Sequence, residues 1–254
     1  MDWFGGRTAV VTGAARGIGR STAELLAELG AQVVAVDIDG DALEDAFVGR
    51  SIVRFQADVS RDGEKLAAEL EAAVGPVGLL VNNVGIDTES HYLDLGERDF
   101  DRIFAVNLRG PWFLTRGLTP SMGAAAAGGA IVFVSSLHDT FVRSFPAYSA
   151  SKAAVAMLVK ELAVDLAPRG IRVNAVSPGA IQTAHVPPPA DERERARLRE
   201  LIPLGGLGDS HQVARMIAVL LSEEWSGYVT GANVRVDGGL GLHSWSLHPD
   251  APGG

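Results

Sequence analysis

The sequence predicts an α/β fold: a doubly wound parallel sheet with helices packed on both faces. Three observations carry this reading. Short apolar runs rich in Val and Ile alternate with amphipathic stretches of helical length, the signature of repeated βα units. The apolar runs show little period-two alternation, as expected of strands buried on both sides. No Ser/Gly-rich linker and no internal repeat divides the chain, so its 254 residues read as one domain spanning 1–254.

Taken in order, the first strand, Thr8 to Val11, runs straight into a glycine-rich turn, after which Gly17 to Leu29 keeps a helical period. The second strand, Gln32 to Asp37, ends on an acid, and Asp39 is placed to cap a helix reaching Phe47. Ile52 to Gln56 and Leu79 to Asn82 are the next strands, with a helix from Ser60 to Val74 between them. One long helix is expected from Glu97 to Met122, then a strand from Ala130 to Ser135 and a helix from Pro146 to Ala167. Ile171 to Ser177 is the sixth strand. The stretch 180–208 is long for a connection, holds Pro187-Pro188-Pro189 and the charged run Asp191 to Glu200, and follows a strand end where substrate lids are placed. Its charges read as a solvated helix face ahead of any binding role. A helix from Asp209 to Ser222 and a seventh strand, Asn233 to Val236, complete the sheet. The tail 240–254, rich in Gly, Pro, His and Trp, is expected to be disordered or to dock on a neighbour, with Trp245 lying on it.

Composition narrows the partners. Twenty-two Lys and Arg against 31 Asp and Glu give a formal charge of −9, so no sequence-wide basic field attracts nucleic acid or an anionic membrane. The absence of cysteine removes disulfides, thiolate metal sites and cysteine nucleophiles together. No metal site is expected. The longest uncharged stretch, Gly117 to His138, is broken by Pro120 and several glycines, and Met1 to Phe4 lacks the marks of a secretory signal. A cytoplasmic protein acting on small molecules is the expectation.

Thr12-Gly13-Ala14-Ala15-Arg16-Gly17-Ile18-Gly19 stands between a strand and a helix, spaced G-x-x-x-G-x-G. Any tight turn wants glycine, but in this setting glycines let the backbone approach a pyrophosphate, whose charge the helix N-terminus meets. Asp37 closes the second strand and can accept hydrogen bonds from ribose hydroxyls while repelling a 2′-phosphate, which favours NAD over NADP. Arg16 pulls towards a 2′-phosphate; repulsion by the carboxylate, at contact range in a partly dry site, outweighs that pull. Asp58-Val59 and Asn82-Asn83-Val84-Gly85 lie at further strand ends, which form the ligand crevice of an open α/β sheet.

Tyr148 and Lys152 stand four apart at the start of a helix and share one face, so the ammonium is expected to lower the phenol's pKa. Such a pair is also common on solvated helices. Ser135-Ser136 closes the fifth strand and puts a hydroxyl at the crevice. Asn107 is a polar residue inside an apolar helical stretch, where the bland alternative is an amide satisfied by backbone. Together Asn107, Ser136, Tyr148 and Lys152 form a candidate proton relay, with Ser135 in reserve for Ser136.

With these motifs in order, the sequence resembles the short-chain dehydrogenase/reductase family from Arg7 to Gly239. The family's T-G-x-x-x-G-x-G matches Thr12 to Gly19, its N-N-A-G matches Asn82 to Gly85 with Val84 for alanine, and its Y-x-x-x-K matches Tyr148 to Lys152. Its Pro-Gly turn matches Pro178-Gly179, followed by Ile181 and Thr183, and its D-G-G matches Asp237 to Gly239. The resemblance implies a single-domain Rossmann fold with a seven-stranded sheet and NAD(P) in the crevice. It implies Tyr148 as acid/base, Ser136 orienting the carbonyl, Lys152 binding ribose and tuning Tyr148, and Asn107 holding a relay water. Cofactor contacts are expected from Gly13, Arg16, Gly17, Ile18, Gly19, Asp37, Asp58, Val59, Asn83, Val84, Gly85, Tyr148, Lys152, Pro178, Gly179, Ile181 and Thr183.

The leading expectation is an NAD-dependent dehydrogenase of a secondary alcohol, or reductase of its ketone. The alternatives are a 3-oxoacyl carrier-protein reductase using NADPH, for which Arg169 and Arg172 offer a local basic patch, and a dinucleotide-sensing regulator without catalysis. The specificity pocket is expected from Ile86-Asp87, Leu137-His138, Phe141 to Phe145 and the lid, with His138 contacting a second polar group of the substrate. The helix from Pro146 carries more apolar surface than one stripe buries. With the family's habit of pairing this helix and the one through Asn107 across two-fold axes, that excess points to a homotetramer.

Overall fold

The protein is described from a computed structural model, which covers residues 2–88, 91–124, 128–142, 144–183 and 186–242. Among the described residues nine strands form: β1 (Thr8–Thr12), β2 (Gln32–Asp37), β3 (Val53–Gln56), β4 (Leu79–Asn82), β5 (Gly129–Val134), β6 (Ile171–Pro178), β7 (Ile181–Gln182), β8 (Gly208–Asp209) and β9 (Asn233–Val236). Seven of them build one parallel sheet in the order β3-β2-β1-β4-β5-β6-β9. These are the seven expected strands, with ends shifted by a residue. The lack of alternation in the sequence has a direct cause in the packing. In β1 and β2, Ala9, Val11, Val33 and Ala35 enter one apolar cluster, while Val10, Val34 and Val36 enter another on the opposite face.

The helices are α1 (Gly17–Glu28), α2 (Gly40–Ala46), α3 (Gly63–Val74), α4 (Glu97–Phe104), α5 (Gly110–Ala124), α6 (Pro146–Leu166), α7 (Glu192–Leu201), α8 (Ser210–Leu221) and α9 (Glu223–Ser226). Apolar residues of α1, α2 and α8 pack in the first cluster, and those of α3, α5 and α6 in the second. Asp39 caps α2 as expected, accepting from the Ala42 N–H at 3.0 Å. The helix expected from Ser60 starts later, at Gly63, because Asp62 caps it and Ser60 is held in a turn by Asp58.

The single helix expected from Glu97 to Met122 is corrected. A π-helical turn, Ala105–Arg109, separates α4 from α5. Pro111 supplies the reason: it has no N–H, so the carbonyl of Asn107 lacks its i+4 donor and the ladder widens.

In the connection 180–208 the charges fall on a solvated helix, as expected, while the basic patch is corrected. The connection is clipped at its ends, where β7 pairs with β8 through Ile181 to Gly208 and Gln182 to Asp209. Its charged run forms α7, which has no buried residue and links Glu192 to Arg195 and Arg199 at 3.0 and 2.6 Å. Arg172 is not a surface residue. Buried beneath the C-terminal end of α8, it donates to the carbonyls of Leu220, Leu221 and Val229 and to the Ser226 hydroxyl, and pairs with Glu223 at 3.2 Å. A side chain so buried is not presented to a docking partner, which leaves Arg169 alone of the expected pair. Among the described residues no helix is long and apolar enough to cross a membrane. Trp245 and the tail beyond 242 lie outside the described residues.

Candidate active site

The chain leaves β1 towards β2 and β3 and returns to β4 on the other side, so the sheet's topological switch lies between β1 and β4. Thr12 and Asn83 stitch the two strand ends together. The Thr12 hydroxyl accepts from the N–H groups of Asn83 and Val84 at 3.1 and 3.2 Å, and the Asn83 amide donates to the carbonyls of Thr12 and Gly13 at 2.9 and 3.0 Å. This closeness explains the glycines. A Cβ at position 19 would stand 2.1 Å from the Gly13 oxygen and 2.5 Å from the Asn83 amide nitrogen, while Gly13 itself adopts φ +63°.

Beyond this turn α1 begins with no side-chain cap and no acidic residue in its first turn, so its first N–H groups are open to an anion. Asp37 sits over the same loop, accepting from the N–H of Ala15 at 2.9 Å and of Asp39 at 3.1 Å. A carboxylate has room for more donors than these two. Arg16 is tied to Asp39 at 2.6 Å, outside the loop. An uncapped helix start, a backbone cradle and an acid at the end of β2 fit the diphosphate and ribose of a dinucleotide.

Next to the cradle opens a cleft of about 780 Å³, lined among others by Ile18, Asn83, Gly85, Asp87, Ser136, His138, Tyr148, Lys152, Pro178, Gly179, Ile181 and Thr183. Lys152 is buried and donates to the Val134 carbonyl at 2.9 Å, with its ammonium 5.7 Å from the centre of the Tyr148 ring. Burial lowers its pKa to about 8, against a raising influence from Asp87. The chain's own groups act on the Tyr148 phenol in both directions. Burial raises the Tyr148 pKa, the hydrogen bond with Ser136 only partly offsets this, and Asp87 raises it further.

The two serines separate cleanly. Ser136 meets Tyr148 and accepts from the His138 N–H at 3.2 Å, whereas the Ser135 hydroxyl turns into α6 and donates to the Lys152 carbonyl at 3.3 Å. His138 lies edge-on to the Tyr148 ring, 5.2 Å between centres, with Nδ1 3.3 Å from the Ser149 hydroxyl. Asn107 acts as a brace: its amide accepts from the Ile86 N–H at 2.8 Å and donates to the Ile86 carbonyl at 2.9 Å and to Ser151 at 3.0 Å. Ser151, fully buried, passes the connection on by donating to the Tyr148 carbonyl at 2.7 Å. Its part in the brace escaped the sequence reading, although its place between Tyr148 and Lys152 was a signal.

The other expected contacts are distributed unevenly. Pro178, Gly179, Ile181 and Thr183 reach the cleft, and the Thr183 methyl group would touch a Cβ at Gly17 at 3.4 Å. Gly85 passes so near Lys152 that a Cβ would lie 3.1 Å from its ammonium. Val84 packs against the core from beside the Thr12 stitch. Asp58 has both oxygens engaged, by the Ser60 N–H and hydroxyl and by Arg61 at 3.3 Å. The Val59 side chain is buried in the core with Leu66 and Leu114, so a ligand can meet only its main chain.

Fold and site thus define a dinucleotide-crevice oxidoreductase scaffold. A family model described as enoyl-(acyl carrier protein) reductase matches residues 13–241. An uncharacterized oxidoreductase of Bacillus subtilis, YxbG, is 37% identical over 94% of this chain and 92% of its own. The (3R)-3-hydroxyacyl-CoA dehydrogenase of Mus musculus is 36% identical over 91% of this chain and 95% of its own. Among solved structures, a putative short-chain alcohol dehydrogenase from Sinorhizobium meliloti superposes with a TM-score of 0.87 at 32% identity, covering 94% of this chain and 98% of that one. The chain belongs to the short-chain dehydrogenase/reductase family and is an oxidoreductase of that type.

Proposed function

We propose that the protein is an NAD-dependent enzyme that interconverts a secondary alcohol and its ketone, with Tyr148 as acid and base. The observation that carries this reading is the convergence of Ser136 and Lys152 on Tyr148 inside one cleft beside the dinucleotide cradle. The nicotinamide ring, when bound, supplies the hydride donor or acceptor. Gly13, Gly17, Ile18 and Gly19 would hold the diphosphate and Asp37 the adenosine ribose, with Arg16, Asp58, Val59, Asn83, Val84 and Gly85 around the adenosine. Pro178, Gly179, Ile181 and Thr183 would border the nicotinamide, and Tyr148 and Lys152 its ribose.

The chain's own residues then manage one proton. Burial and Asp87 keep it on the phenol at neutral pH, so Tyr148 is loaded as a donor for a developing alkoxide. Ser136 donates to the same substrate oxygen and fixes its direction. The Asn107 carbonyl, deprived of its i+4 donor by Pro111, is an acceptor for a relay water beside Lys152. The excursion between β7 and β8 would cover the cleft as a lid. Ser136→Ala is expected to lower kcat/KM by about 10²-fold, the scale of a lost oxyanion donor. Ser135→Ala should cost only a few-fold, since its hydroxyl serves the Lys152 carbonyl. Steady-state rates of the two variants side by side check this, and a larger loss at Ser135 would reverse the assignment.

The family-model description and the mouse relative's name favour a second reading, action on an acyl carrier-protein or acyl-CoA substrate, which for a 3-oxoacyl reductase we would pair with NADPH. Arg172 turned inward and Arg16 tied to Asp39 speak against it. The clustered catalytic groups speak against a regulator without turnover.

A homotetramer belongs to the same proposal. On the outer faces of α6 and α5, Val164 is 74%, Met157 54% and Trp112 45% exposed, more apolar surface than a monomer retains without a reason. Light scattering is expected to give four times 26.6 kDa; a monomer mass would refute it.

A further inference from the structure

We infer that Asp87 is a specificity-determining residue that accepts a hydrogen bond from a second hydroxyl of the substrate, so that the cleft selects polyols over simple alcohols and over carboxylates. This rests on the proposed alcohol dehydrogenase reading and deepens it. Asp87 lines the cleft together with Ser136 and Tyr148, and its side chain is exposed there. Among the described residues nothing donates a hydrogen bond to it or pairs with its charge. An acid placed so serves no cap, turn or salt bridge of the fold. It lines the same cleft as the Tyr148 phenol and the Lys152 ammonium, the groups around the reacting oxygen.

What makes this carboxylate more than a solvated acid is how its loop is held. The preceding residue, Ile86, is clamped at both its N–H and its carbonyl by the Asn107 amide, at 2.8 and 2.9 Å, from the π-helical turn. A charged acceptor fixed in place discriminates better than one on a free loop, because little order is lost on binding. The neighbouring polar group, His138, is engaged with Ser149 through Nδ1 and lies edge-on to Tyr148 and tilted against Phe145, whereas the Asp87 carboxylate is an acceptor with capacity to spare. The apolar share of the cleft, from Phe141, Phe145 and Leu137, suits a carbon ring or chain beneath the hydroxyls. A substrate carboxylate would meet like charge.

The test compares cyclohexanol, the 1,2- and 1,3-cyclohexanediols and 2-hydroxycyclohexanecarboxylate, using the intact protein, Asp87→Ala and Asp87→Asn, each checked for an unchanged melting temperature. NADH formation gives kcat/KM, and calorimetric titration of the alcohols into the protein with NADH present, where no oxidation can occur, gives affinity independently of turnover. The preference for the better diol over cyclohexanol is expected to fall about 10- to 100-fold in Asp87→Ala, the scale of a hydrogen bond to a charged acceptor, with Asp87→Asn between. Discrimination against the carboxylate should weaken in both variants. A diol preference that is absent from the intact protein, or unchanged in Asp87→Ala, overturns the inference while cyclohexanol oxidation leaves the underlying reading intact. Failure of every alcohol to reduce NAD, with no diol bound, overturns both.

Discussion

Tyr148→Phe is expected to lower kcat/KM by ~10²- to 10⁴-fold, the usual worth of a positioned acid–base group, with cofactor affinity nearly unchanged. The ring of Tyr148 packs edge-on against His138 and beneath the Lys152 ammonium, and phenylalanine preserves both contacts. What disappears is the one oxygen that the Ser136 hydroxyl meets. Burial raises the phenol's pKa, so at neutral pH the unaltered protein presents a proton, and the reductive direction should be the less sensitive to acid. Stopped-flow rates in both directions, with cofactor binding followed by fluorescence, decide the matter. Retention of most activity would remove Tyr148 from the chemistry.

The second large effect concerns the cofactor. Turnover with NAD is expected to exceed that with NADP by about 10²- to 10³-fold in kcat/KM. Two unit charges ~4 Å apart at an effective dielectric of ~20 repel by ~4 kcal/mol, and solvent leakage reduces this. Asp37 is fixed over the loop by two N–H groups, while Arg16, the cation that could answer a 2′-phosphate, is bound to Asp39. Asp37→Ser should therefore narrow the gap, and Asp39→Ala, by releasing Arg16, should raise NADP activity without removing Asp37. Equal efficiency with both cofactors in the unaltered protein would show that the carboxylate does not govern the choice.

Strands β1, β2, β4 and β6 were legible because each is a largely apolar run ended by Gly, Asp, Asn or Pro, and the packing of both sheet faces makes that run continuous. The glycine turn was legible for a steric reason: a side chain at position 19 would collide with main chain. Other features depend on distance through space, which spacing along the chain does not encode. Arg172 reads as a surface cation until the carbonyls at the end of α8 are placed around it. The direction of the Tyr148 pKa turns on burial and on Asp87, sixty-one positions earlier, the difference between 148 and 87. The π-helical turn was encoded by Pro111, but the amphipathic period across it is uninterrupted enough to mask the break. Ser135 and Ser136 are indistinguishable in sequence, since only the strand's pleat decides which hydroxyl faces α6.

The two-residue pairing of β7 with β8 has a consequence for how such a protein diversifies. With Ile181 and Gln182 joined to Gly208 and Asp209, the intervening segment leaves and re-enters the scaffold at one fixed gate. The entropy of closing such a loop grows only with the logarithm of its length, by ~0.6 kcal/mol per doubling. Apart from Thr183 at the cleft and the buried Ile202, lengthening, shortening or exchanging residues between the paired ends therefore leaves the sheet nearly indifferent. The segment behaves as an interchangeable cassette, able to drift in sequence quickly while the strands that hold its gate stay as they are.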